Sequence, residues 1–324
     1  MFSRKVFPPA AVVALLAALS FVAFTALPAA AQEVVQDEGA AYREWHAASQ
    51  ANDLSKAIPA AEAYLKQYPA GEYADFLTKW LAQARFSALD AAIKAQKIEE
   101  MIQVGRQILA SDPENLNVLY ALAYNLRLRE LLASPQKLGH RKDAKEFAEK
   151  AASLVESGKT LAGVQSFDKN ATLGWLNQVL AVVEAAGGSA ETAIGLYEKS
   201  TSFAPDDVAV AGRNLLSVLS MRQTRYAETA KDYNALPEAD RATPDSSAVV
   251  KAKKDKLNAE ADALIAVAAR FVAFGQAKSL PTATVDKVKA VLETVYKTRF
   301  PEDATLDGLK KILEKSTGAP APGD

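Results

Sequence analysis

A helix ending recurs three times in one register along this chain, and it constrains the fold more than any other feature. Ala57, Ala60, Ala61 and Tyr64 lead to Pro69; Met101, Val104, Gly105 and Ile108 lead to Pro113; Ala193, Leu196, Tyr197 and Ser200 lead to Pro205. Each set stands at i, i+3, i+4 and i+7, the spacing of one packed helical face, and each proline falls five residues after the last member. Proline lacks an N–H and its ring clashes with the preceding turn, so each face stops at a fixed point. Repeated helix pairs that do not bury their apolar face alone must stack on their neighbours. The expected fold is all-α, an α-solenoid, and a solenoid presents a surface made for binding.

The first residues read as an export signal over 1–31. Arg4 and Lys5 precede an apolar stretch through Val12, Leu15, Leu16, Leu19, Phe21 and Phe24, and Ala29-Ala30-Ala31 offers a small-residue cleavage site before Gln32. An uncleaved membrane anchor is the alternative, because the stretch approaches the roughly 20 residues that span a bilayer. After cleavage no transmembrane span is expected: the best later candidate, Ala261 to Phe274, is interrupted by Asp262 and Arg270. The absence of cysteine removes disulfides, thiolate nucleophiles and Cys-rich zinc sites. With Arg4 and Lys5 gone, 36 basic residues face 39 acidic ones, a net −3, which gives no electrostatic reason to expect nucleic acid.

Strand signals are sparse and alanine is abundant, as helix propensity favours. Punctuation places helices near 38–50, 53–68, 71–87, 90–110, 114–133, 140–157, 171–187, 190–203, 206–221 and 224–235. A break at Leu236 to Ser247 precedes helices near 248–276, 283–298 and 303–315. Asn52 or Asp53 is expected to cap the second helix, and Ser111-Asp112-Pro113-Glu114 the fifth. Gly187-Gly188-Ser189 reads as a stop and a cap, with Thr192 in the capping-box position. The segment Ser157 to Asn170 reads as a loop, and the tail 316–324 as disordered.

At these residues the chain resembles the tetratricopeptide repeat family. On the second helix of each pair that family places a small residue, a small or aromatic one four later, another three later, and a proline five after that. Ala193, Tyr197, Ser200 and Pro205 follow that order. Leu180-Ala181 stands where the family has a large-small pair on the preceding helix, and Leu122-Ala123 stands in the same relation to the helix after Pro113. The resemblance covers about 45 to 235. It implies a right-handed α-solenoid of antiparallel helix pairs over 32–236, with 248–315 as a C-terminal helical cap or a continuation. The unit length departs from the family: Pro69 and Pro113 are 44 residues apart and Pro113 and Pro205 are 92 apart, two units of 46, against about 34 for a tetratricopeptide unit. HEAT-type repeats of about 40 to 47 residues are the competing architecture. A last set, Val288, Val291, Leu292 and Val295 before Pro301, is one residue out of register.

The resemblance also implies which residues line the groove: Asn117, Tyr120 and Tyr124 around Leu122-Ala123, and Trp175, Gln178 and Val182 around Leu180-Ala181. Amides pair with a peptide backbone and rings cover its side chains, so these suit an extended peptide. Against each stands the plainer reading that Tyr120 or Trp175 is simply packed.

Other motifs carry less. Gly158-Lys159-Thr160 resembles the end of a phosphate-binding loop, but Ser153 stands where its first glycine belongs. Ser134-Pro135-Gln136-Lys137 and Ser166-Phe167-Asp168-Lys169 both spell Ser-x-x-Lys without the companion motifs of penicillin-recognising enzymes. His46 and His140, the only histidines, are far apart and read as exposed positions on helix faces. The run Lys251, Lys253, Lys254, Lys256 has Asp255, Glu260 and Asp262 beside it and reads as a solvated helical face. Tyr73, Phe76 and Trp80 read as a core stripe, and Tyr42 and Trp45 as cover for the open end of the first repeat. The expectation is an exported, extracytoplasmic, periplasmic scaffold of a bacterial envelope that binds a protein or extended peptide without catalytic residues, cofactor or metal. A membrane-tethered assembly factor and an enzyme with an unrecognised site are the alternatives.

Overall fold

The computed structural model describes residues 29–133 and 136–318, with side chains at 29–37, 246, 317 and 318 left aside. Most of the expected leader, the pair Ser134-Pro135 and residues 319–324 of the tail lie outside it. The described residues hold thirteen α-helices and no strand. They are α1 (Ala29–Gln50), α2 (Leu54–Gln67), α3 (Ala74–Ala95), α4 (Ile98–Ser111), α5 (Leu116–Leu126), α6 (Arg141–Glu156) and α7 (Lys169–Ala186). There follow α8 (Ala190–Phe203), α9 (Arg213–Asn234), α10 (Glu238–Ala242), α11 (Ala248–Ala277), α12 (Thr282–Arg299) and α13 (Asp307–Gly318). Two π-helical turns, Arg127–Leu131 and Val208–Gly212, end α5 and begin α9. None of the described helices is long and apolar enough to cross a membrane.

The chain divides into two compact units, one through Arg85 and one from Phe86, with α3 running through the division. In the first, α1 packs on α2, and the buried side chains include Trp45, Ile58, Tyr64, Leu77 and Leu81. In the second, packing proceeds from each helix to the next, from α4 through α9; α11 then packs on α9, and α12 and α13 on α11. One buried cluster extends from Leu89 to Leu309 and joins Leu122, Leu176, Phe271 and Leu292. Residues 248–315 therefore share their core with the helices before them.

The three recurrent faces are helical and turned inward. Ala57, Ala61 and Tyr64 are buried in α2, Met101, Gly105 and Ile108 in α4, and Ala193, Tyr197 and Ser200 in α8. The second member of each set, Ala60, Val104 or Leu196, is half-buried at the edge. The residue before each proline closes its helix in non-helical backbone: Tyr68 (φ −126°, ψ 65°), Asp112 (−139°, 82°) and Ala204 (−134°, 61°). A following proline ring forbids the helical conformation there. The N–H of the residue before the proline donates to the carbonyl of the last face residue, Tyr64, Ile108 or Ser200, and its own carbonyl accepts from the N–H three further on, of Gly71, Asn115 or Asp207.

A fourth junction has the same form. Phe300 (φ −131°, ψ 66°) precedes Pro301, donates to Tyr296 and accepts from Asp303. The apolar set of α12 is offset as the sequence indicates, yet the junction is in register, because Tyr296 stands five residues before its proline as Tyr64 does. At three junctions the residue reached by the turn caps the next helical segment. Asn115 accepts from Val118 N–H, Asp207 from Ala209 and Val210, and Asp303 from Asp307 and Gly308. At the fourth, Gly71 has no side chain, and the Glu38 carboxylate supplies the acceptor for Glu72 N–H at 2.7 Å. A Cβ on Gly71 would fall on that oxygen.

Five other helix ends are turned by a left-handed residue. Asn52, Gln96 and Ser279 have φ of 53°, 59° and 52°, and Gly158 and Gly188 take the same role. In each, the next N–H reaches back to a carbonyl five residues earlier, as in a Schellman ending: Asp53 to Ala48, Lys97 to Ala92, Lys159 to Leu154, Ser189 to Glu184, Leu280 to Gly275. The boundary expected between 87 and 90 thus lies at Gln96 instead, and α3 runs on through Asp90. The break expected at 222–223 is absent, since nothing in Met221 to Arg225 stops α9. Caps also move. Asp53 and Ser189 flank their helices without side-chain capping bonds, and Asn115 replaces Ser111 to Glu114 as the cap of α5.

Candidate functional site

The six residues expected to line a groove stand on α5 and α7, and three of them face each other. Tyr120 and Tyr124 are one turn apart and stacked, with centroids 5.9 Å apart and planes 7° apart. Trp175 meets both edge-on, at 5.0 and 5.6 Å. Such edge contacts match the positive rim of one ring to the negative face of another and hold the cluster rigid. Tyr120 and Tyr124 are half-buried, and Trp175 is buried behind them.

The other three are engaged within the protein. Asn117 is exposed, but its amide donates to Ala162 C=O at 3.1 Å and accepts from Ala162 N–H at 2.9 Å, pinning the loop of 157–168. Gln178 and Val182 are buried, because α7 touches α5, α6, α8 and both π-helical turns. A helix covered on so many sides leaves few residues to solvent.

Gln178 is the centre of a buried polar network. Its Oε1 accepts from Arg127 Nε at 2.8 Å and Nη2 at 2.6 Å, and its Nε2 donates to Asn214 Oδ1 at 2.7 Å. Asn214 donates to Ser200 Oγ at 2.7 Å, and Ser200 Oγ donates to Gly174 C=O at 2.5 Å. The last residue of the α8 face is thereby tied to α7 and α9.

Arg127 is the residue that sequence reasoning missed. It continues the face of Asn117, Tyr120 and Tyr124 by one further turn, a signal that the spacing carries. The guanidinium belongs to a residue only 7% exposed, and among the described residues no carboxylate is within ion-pair distance of it. Burial pushes its pKa down, Tyr124 and Asp207 act in the opposite sense, and the charge of Arg213 adds to the depression. Past Gln178 the face meets an open cleft lined by Val182, Tyr197, Leu216, Ser217 and Met221.

The π-helical turn that carries Arg127 also carries a buried carboxylate. Glu130 accepts from His140 N–H at 3.3 Å and lies 2.9 Å from His140 Nδ1. His140 is therefore the residue before α6, paired and partly covered, and not an exposed position on a helix face. That hydrogen bond raises its pKa, with Glu99 and Asp143 adding to the effect and burial opposing it. His46 is exposed.

The remaining motifs find ordinary partners. Lys159 pairs with Glu114 at 2.5 Å, Lys251 with Asp255 at 2.8 Å, and no group of three or more metal-ligating side chains is present among the described residues. Phe76 is exposed and Tyr73 and Trp80 are half-buried, so they do not form a core stripe; Ala74, Leu77, Leu81 and Ala84 do. Phe76 and Trp80 instead stand edge-on to buried Trp45, at 5.5 and 5.2 Å. No protein-family model matches the chain, and no curated protein matches it.

Proposed function

We propose that the chain is an exported, periplasmic α-solenoid of tetratricopeptide-like helix pairs, a non-catalytic scaffold that binds an extended peptide segment of a bacterial envelope protein. The observation that carries this reading is the rigid ring cluster of Tyr120, Tyr124 and Trp175, at the positions that line the groove in the repeat family. The order of packing supports the architecture: α5 on α6, α6 on α7, α7 on α8, with α5 also reaching α7. The recurrent proline junction supports it as well, since the same joint repeated gives successive pairs the same setting. A ring face of this kind contributes several weak contacts, and an affinity near ~1 μM, about −8 kcal/mol, is the scale to expect.

Peptide selection on the mature chain tests the reading. A displayed library is panned on the wild type and on Tyr120→Ala/Tyr124→Ala, with circular dichroism confirming that the variant keeps its helix content. Sequences enriched by the wild type and lost by the variant support a peptide-binding face there. Enrichment that the variant retains, or none, would overturn it.

A further inference from the structure

Arg127 presents a problem of charge. A guanidinium in a residue 7% exposed is costly to hold without a counter-ion, and its hydrogen-bond acceptor, Gln178 Oε1, is neutral. The carboxylate that acts on it, Asp207, stays beyond ion-pair distance and accepts instead from Ala209 and Val210 N–H at 2.8 and 3.2 Å. The neighbouring charge of Arg213 has the same sign as Arg127, and among the described residues Arg213 too forms no ion pair. Arg127, beside two half-exposed rings, thus feels a second cation, and among the described residues neither arginine pairs with a carboxylate.

The guanidinium is also preorganised. Gln178 holds Nε and Nη2 and is itself held by Asn214, so the arginine does not swing out to solvent at will. Nη1 makes no hydrogen bond among the described residues. Arginine offers planar, directed donors that match a carboxylate, and a partner that arrives from outside would supply the missing charge.

We infer that Arg127 is the receptor for an acidic side chain, Asp or Glu, of the bound peptide, with Tyr120 and Tyr124 covering the residue beside it. This rests on the peptide-binding reading above and adds the chemistry of the recognised residue. The long-range field of Arg213 would attract the carboxylate, and Arg127 would hold it.

An array of acetylated, amidated nonapeptides tests this, each built from alanine, leucine and phenylalanine with one Glu at a varied position, beside its Gln counterpart. On the wild type the best Glu peptides should bind at least tenfold more tightly than their Gln partners. Arg127→Met should bring each pair to within about twofold. Gln178→Glu, which sets a carboxylate on the guanidinium permanently, should remove the preference by another route and keeps a result in hand if Arg127→Met does not fold. Equal binding of Glu and Gln peptides by the wild type, with binding still lost in Tyr120→Ala/Tyr124→Ala, would overturn the carboxylate receptor and leave the peptide face standing. Binding of neither would remove both. Free glutarate that displaces Gln peptides as well as Glu peptides do would assign Arg127 to a soluble acid and overturn the side-chain assignment.

Discussion

Leu122 of α5 occupies the space that a side chain on Gly105 of α4 would need: a Cβ placed on Gly105 would stand 2.6 and 2.7 Å from the two Leu122 methyl carbons. Both residues are buried, Leu122 completely. Gly105, the third member of the recurrent face in α4, is thus a point where α5 comes close.

Gly105→Ala therefore sets two effects against each other. Helix propensity favours alanine by about 1 kcal/mol. Overpacking of a closed core costs about 1–3 kcal/mol, and the clash is with a side chain that has no room to retreat. The expected result is net destabilisation of about 1 kcal/mol by urea unfolding, with Gly105→Ala/Leu122→Ala less destabilised than the sum of the single changes. Additive losses would place the strain elsewhere.

Tyr197→Ala removes a ring that is 5% exposed from the contact between α8 and its neighbours. A cost of about 3 kcal/mol is expected, read from the shift in urea midpoint. A shift equivalent to under about half a kcal/mol would contradict this packing.

Gln96→Gly should raise stability. Gln96 turns the chain from α3 to α4 at φ 59°, a conformation that costs a residue with a Cβ about 1–2 kcal/mol and glycine almost nothing. Part of that gain is returned through the freer unfolded chain, so a rise of roughly 0.5 kcal/mol is expected. Gly188→Ala, at φ 85°, is the reverse experiment and should lower stability.

Two tyrosines make the fold sensitive to alkali. Burial and a carboxylate acceptor, Glu38 for Tyr64 and Asp303 for Tyr296, raise both pKa values to about 12. A pKa raised in the folded state gives a contribution that is complete below the ordinary value near 10 and is lost as pH climbs through about 12. Ultraviolet titration should show a late tyrosinate fraction whose appearance coincides with loss of helix, and Tyr64→Phe should reduce that fraction.

His140 acts at lower pH. Its folded pKa is raised, so the pair with Glu130 contributes fully below the ordinary histidine value of about 6.5 and less as pH rises through the folded value. His140→Ala should consequently cost more stability at pH 5.5 than at pH 8.5. An equal cost at both would show that the contact is packing alone.

The helix endings were legible in sequence wherever a proline enforced them, because that ring acts through covalent geometry and needs no tertiary context. The turn at Gln96 was not, since glutamine rarely adopts positive φ and is held there by the helices on either side; the breaks near 51–52 and 277–282 were placed, but not the left-handed residue that makes each. The choice of Tyr120, Tyr124 and Trp175 as neighbours on one groove followed from the family resemblance. The removal of Gln178 and Val182 from the surface did not, because it depends on how many helices close around α7. Arg127 escaped notice through its residue type: a charged side chain on the turn after an aromatic pair reads as solvated until its burial is known.

The proline junctions bear on how such a chain is made. Each is completed within a short stretch, as from Phe300 to Gly308, by bonds between neighbours in sequence. Only the Gly71 joint borrows its acceptor from an earlier helix, and Glu38 precedes it in the chain. Every joint can therefore close as soon as its own residues leave the ribosome, without waiting for anything still to be synthesised. The same property would let a segment running from one proline to the next be duplicated with its joint included.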